Sequence, residues 1–155
     1  MQLDEIKTAV VTFGLLVEAE NVLARLYREC GNSGDEAFWN DLAAQEEKHA
    51  ANLTEMARLI AVSKGAGFEI TRRFPAAAVR SFISYLEDHY AQVHAGGKNP
   101  AELYQIGRTI ERAVLDQRYP DIVKSSDTSF NELMERTIRE TEAHLKALEE
   151  KGRRI

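Results

Sequence analysis

A chain of 155 residues, 44% hydrophobic and 29% charged, is long enough to bury one core and too apolar to stay disordered. Its net charge of −5 argues against a nucleic-acid partner, and Arg72-Arg73 and Arg153-Arg154 are too short to form a basic face. Cys30 is the only cysteine, which excludes an internal disulfide and any Cys-x-x-Cys metal or redox site. No apolar run is long enough to span a membrane, and Met1 to Lys7 is charged without a signal-peptide pattern. The expectation is a soluble cytoplasmic protein with no membrane partner.

Apolar periodicity predicts an all-α protein. The first segment, about Leu3 to Cys30, repeats Ile6, Val10, Phe13, Leu16, Val17, Val22, Leu23 and Leu26 at three- and four-residue steps. Gly31-Asn32-Ser33-Gly34 breaks it. Ser33 and Glu36 have capping-box spacing for a second helix over about Asp35 to Lys64. Gly65-Ala66-Gly67 ends that helix, and an extended piece runs through Phe74. A third, shorter helix spans Pro75 to His94 and stops at Gly96-Gly97. Asn99-Pro100 is a strong start signal for a fourth, from Pro100 to about Tyr119, where Pro120 ends or kinks it. A polar linker over Ser125 to Ser129 precedes a fifth helix, with Ser129 and Glu132 as a second capping box, that reaches Glu150. Two helical hairpins joined by the 65–98 crossover form one domain, a four-helix bundle with one long crossover containing an extra helix. That is the ferritin-like arrangement.

In such a bundle a buried dinuclear site takes one Glu from each of two helices and a Glu-x-x-His from each of the other two. Glu46 and His49 form such a step, with both side chains leaving the same face of the second helix. Composition alone produces such pairs, so its meaning depends on companions. Glu20 lies on the apolar side of the first helix with Leu16 and Leu23, and Tyr27 stacks above it seven residues on. Glu111 sits among Ile110, Val114 and Leu115 on the fourth helix. His144 lies among Ile138, Leu145 and Leu148 on the fifth, but three residues before it stands Thr141 rather than a glutamate.

Glu20 to Tyr27, Gln45-Glu46-Glu47-Lys48-His49, and Glu111 followed by Arg118-Tyr119-Pro120 together resemble the rubrerythrin branch of the ferritin-like superfamily, over nearly the whole chain apart from the crossover. The resemblance implies two iron ions held by Glu20, Glu46, His49, Glu111 and His144. It implies Fe(II) oxidation coupled to reduction of peroxide or O2, an external electron donor and a homodimer. Tyr27 would donate a hydrogen bond to a ligand carboxylate or to the oxidant, as the candidate catalytic residue. The chain departs from the family at three points: Thr141 replaces a carboxylate, Val114 stands where many members carry a further Glu, and no rubredoxin-like iron domain is present. Glu140, one turn before His144, is a candidate replacement ligand.

The bland readings are a solvated Glu20, a Glu111 paired with Arg108 or Arg112, and a His144 merely packed in a vestigial half-site. On those readings Tyr27 and Tyr119 are core aromatics, Trp39 with Phe38 is core or dimer contact, Cys30 is inert, and His89 and His94 are surface residues. The competing function class is accordingly a non-catalytic helical scaffold or interaction protein holding one metal ion or none.

Overall fold

The apolar stripes pack as the periodicity requires, in a computed structural model that describes residues 1–154. Helix α1 (Leu3–Gly31) and helix α2 (Glu36–Val62) form the first hairpin. The turn between them differs from the expected capping box. Asp35, in the left-handed region at φ 52°, is the N-cap of α2, and its side chain caps nothing. Asp tolerates this conformation better than most residues. Its carboxylate instead accepts from Tyr104 at 2.5 Å and pairs with Lys151 at 2.8 Å, so a local cap has been exchanged for a tertiary tie to the second hairpin.

After α2, strand β1 (Phe68–Ile70) takes up part of the expected extended piece, and helix α3 (Ala76–His94) packs along α1. Helix α4 (Pro100–Asp116) begins at the Asn99 cap, whose side chain accepts from the Glu102 backbone N–H at 2.9 Å. At 17 residues α4, not the 19-residue α3, is the shortest of the helices described. It stops before Tyr119. Arg118 turns left-handed, Tyr119–Asp121 forms a single 3-10 turn, and strand β2 (Val123–Ser125) follows where the polar linker was expected to begin. β2 pairs antiparallel with β1, setting Glu69 opposite Lys124 and Ile70 opposite Val123. Three-residue strands are too short for alternation to announce them. The ribbon nevertheless buries Phe68 and Val123 and fastens the crossover to the α4–α5 connection.

Helix α5 (Thr128–Arg153) is capped by Asp127, which accepts from Phe130 N–H at 2.8 Å, rather than by Ser129. It packs against both α4 and α2. Gly107 makes the α4–α5 approach possible, since a Cβ there would stand 2.9 Å from Leu148 Cδ2. No helix among the described residues is long and apolar enough to cross a membrane. Trp39, 1% exposed, belongs to the core, as do Tyr27 and Tyr119, while Cys30 is buried and its thiol is pushed up to about 12 by burial. His94 is exposed and pairs with Glu29, and His89 is half-buried.

Phe130 meets Phe13 edge-on at 6.0 Å and Phe68 at 5.1 Å, joining α5, α1 and the ribbon in one cluster. Phe130→Ala should therefore cost about 3–5 kcal/mol of unfolding free energy, read by chemical denaturation. A loss below about 1 kcal/mol would mean that this cluster does not hold the ribbon to the helices.

Candidate metal centre

The inward stripes of α1, α2, α4 and α5 are mostly apolar, with a few buried threonines, and carry ionisable side chains at one level. There the chain buries Glu20, Glu46, His49, Glu111 and His144, none more than 3% exposed. All five expected ligands from four separate helices thus lie within the core. Glu111 does not take the surface pairing open to it, because Arg112 bonds Glu149 and Arg108 bonds Gln105.

Glu46 is the hub. Its Oε2 lies 3.2 Å from His49 Nδ1 and its Oε1 lies 2.8 Å from His144 Nδ1. The two imidazoles stack at 5.3 Å between centroids and 20° between planes. Glu20 neighbours Glu46, and Glu111 Oε1 lies 3.6 Å from His144 Nδ1 while accepting from the Tyr27 hydroxyl at 2.7 Å. Donor atoms of Glu46, His49 and His144 all fall within 4.8 Å of one another, a group able to hold a metal ion.

The outer nitrogens are also fixed. His144 Nε2 meets Gln45 Oε1 at 2.7 Å, and His49 Nε2 meets Glu140 Oε2 at 3.1 Å. With Nε2–H donating outward in each ring, Nδ1 is left facing Glu46, the arrangement by which outer partners orient metal-ligating histidines. Glu140 therefore stands behind His49 and not inside the compact group, with its side chain 31% exposed. Thr141 is buried, and its hydroxyl donates to the Thr137 carbonyl at 2.9 Å. Outside this edge lies a depression of about 410 Å³ lined by Asp41, Gln45, Lys48, Asn52, Arg136 and Glu140.

Charge compensation at the centre is incomplete. Glu20 Oε2, Glu111 Oε2, Glu46 Oε1 and His144 Nδ1 are buried without a hydrogen-bond partner, because the 2.8 Å approach of the last two is out of line. Such orphans are costly unless something neutralises them. Without a metal, protons do so. Burial holds the Glu20 carboxyl well above its ordinary range, and the neighbouring Glu46 charge adds to it. Burial alone would raise Glu46, but Glu20 and the His144 and His49 imidazoles beside it outweigh it and keep Glu46 well below the usual range. Burial and the Glu46 charge push Glu111 up to about 7, against the pull of His144 and Tyr27. Burial would lower His144 and His49, yet the carboxylates beside them raise both, His144 to about 10. A divalent cation would displace these protons and satisfy the same oxygens, so the residues present fit a metal.

One contributor carries no mark in the sequence pattern: Gln45 lies beside Glu46 in the same motif, but nothing in the spacing makes it the partner of His144. Tyr119 is the core aromatic that its sequence suggests; its hydroxyl is unpartnered, and burial together with Glu20, Glu46 and Glu111 drives that hydroxyl well above its ordinary range. No protein-family model matches the chain, and no curated protein or solved structure matches it.

The raised groups fix a pH dependence. Where the folded pKa exceeds the unfolded one, the folded chain keeps a proton that the unfolded chain releases. That contribution is complete below the unfolded value and disappears as pH rises through the folded one. For Glu111 the window runs from 4.5 to about 7, and for His144 from 6.5 to about 10; Glu20 acts in the same direction. Metal-free protein should accordingly melt at a lower temperature near pH 9 than near pH 6, and a bound divalent ion should narrow or invert that difference. Calorimetry at the two pH values checks it; a metal-free Tm that rises toward pH 9 would contradict the charge assignment.

Proposed function

We propose that this chain is a metal-binding oxidoreductase of the ferritin-like, rubrerythrin type. Its reaction would be Fe(II) oxidation coupled to reduction of peroxide or O2. The observation that carries the reading is the buried Glu46, His49 and His144 group flanked by Glu20 and Glu111, with one oxygen of each of the three carboxylates unpartnered. Two iron ions there would supply two electrons to an oxidant without releasing a radical. Hard carboxylates with a few imidazoles are a donor set that suits iron in both oxidation states.

In this reading Glu20, Glu46, His49, Glu111 and His144 would hold the iron, with Glu46 central among the donors. Tyr27 keeps Glu111 oriented through its 2.7 Å hydrogen bond, and Gln45 and Glu140 hold the two imidazoles. Ile110, Val114 and Leu53 are buried apolar residues of the same core and help exclude bulk water. Electrons must come from an external donor, because a single cysteine cannot build a four-thiolate iron site within this sequence. A homodimer is part of the same reading.

The second reading is a scaffold with a one-metal or empty site. It is favoured by Thr141 and Val114, which leave three carboxylates and two imidazoles as the buried donors. Anaerobic titration with Fe(II), followed by metal analysis of the desalted protein, separates the two. The di-iron reading expects about two ions per chain. About one supports the single-metal alternative, and a value near zero overturns metal binding. Glu46→Ala should abolish uptake in either metal-binding case. Gln45→Leu, which frees His144 Nε2, should weaken affinity about 10- to 100-fold, measured by competition with a chelator. An unchanged affinity would remove Gln45 from its supporting role.

A further inference from the structure

We propose that the depression on the seam between α2 and α5 is the entrance by which a divalent cation reaches the buried centre, with Gln45 and Glu140 as the side chains that swing aside. The inference deepens the metal-binding reading above and rests on it. Five donors that are no more than 3% exposed cannot be reached from solvent without an opening somewhere in the surrounding walls. Along α1 and α4 the side chains next to Glu20 and Glu111 include the buried Leu23, Ile110 and Val114, which offer a hydrated ion no ligand.

The α2–α5 wall is built differently. Asn52 Nδ2 donates to Thr137 Oγ1 across it at 3.4 Å, and two further contacts end on the imidazoles themselves. Gln45 Oε1 meets His144 Nε2 at 2.7 Å, and Glu140 Oε2 meets His49 Nε2 at 3.1 Å. Gln45 and Glu140 also line the depression of about 410 Å³, so a single layer of polar side chains separates it from the two rings.

Neither latch is locked by packing. The Glu140 side chain is 31% exposed, and the half-buried Gln45 donates to the exposed Asp41 at 2.8 Å. Side chains at such a surface change rotamer quickly, without unfolding a helix. Release of either contact frees its ring to turn. The oxygens of Asp41, Gln45 and Glu140 are hard ligands that can replace the water a cation sheds on its way in. Lys48 and Arg136 stand on the same rim, and their charge opposes that approach. A charge beside the path alters the rate of entry more than the final affinity, which makes the route testable.

Stopped-flow absorption with Co(II), added to metal-free protein at about 0.1 M salt, reads the entry rate; charges then act over only about 10 Å. Arg136→Glu should speed entry about three-fold. Arg25→Glu makes the same change of charge on the α1–α3 side of the bundle, where Arg25 lies over Tyr90, and should leave the rate as it is. Ala51→Phe sets a ring into the mouth of the depression from an exposed position of α2. It should slow entry about ten-fold at unchanged Co(II) stoichiometry, and Ala51→Ser should keep the parent rate. Circular dichroism reports whether each variant has kept its fold. An unchanged rate in folded Ala51→Phe, or equal acceleration by Arg136→Glu and Arg25→Glu, overturns the entrance. If no Co(II) binds, the metal reading falls and the opening is judged on the rings directly. Diethyl pyrocarbonate, with its sites read by mass spectrometry, should then label His49 and His144 more slowly in Ala51→Phe than in the parent, with the exposed His94 as internal standard. Equal labelling, or none in either protein, overturns the proposal.

Discussion

Glu46, held as an anion between two imidazoles at the middle of an apolar core, is the constraint on which the rest of the structure depends. A buried carboxylate is tolerated only where opposite charge and hydrogen bonds meet it from several sides. Here they come from Glu20 on α1 and His144 on α5, besides His49 on its own helix. Replacing such a cluster with well-packed apolar residues would commonly leave a protein as stable or more so. Three carboxylates and two histidines kept together, with unpartnered oxygens among them, make a group that could hold a cation.

The two halves of the centre are unequal. Helix α2 contributes a complete Glu-x-x-His step, whereas α5 contributes His144 alone, with Thr141 turned to its own helix backbone. Glu140 does not fill that gap. It sits one turn away on the outer nitrogen of His49, as Gln45 of α2 sits on the outer nitrogen of His144. Each imidazole is thus oriented by a residue from the opposite helix, which couples the geometry of the centre to the α2–α5 contact. Movement of α5 relative to α2 would disturb both rings at once.

Long-range order was legible where it was written in period and spacing. The five helices, the Asn99 cap and the inward set Glu20, Glu46, His49, Glu111 and His144 all follow from positions along helical stripes. What escaped depends on contacts between distant segments. The β1–β2 ribbon is three residues a side and exists because Phe68 and Val123 find the same core. Asp35 displaced Ser33 as the cap of α2 because Tyr104 and Lys151 claim its carboxylate, and Asp127 displaced Ser129 on α5. Gln45 and Glu140 acquired their roles only when α2 met α5. A sequence pattern specifies which face of a helix is buried, but not which polar residue at the edge of that face will meet a ring from another helix.

The most direct measurement is anomalous diffraction at the iron edge from crystals grown with Fe(II). The account predicts peaks among Glu46, His49, His144, Glu20 and Glu111, with Nδ1 of each imidazole toward the metal. Iron bound only at the surface carboxylates, with the buried cluster keeping its protons, would contradict it.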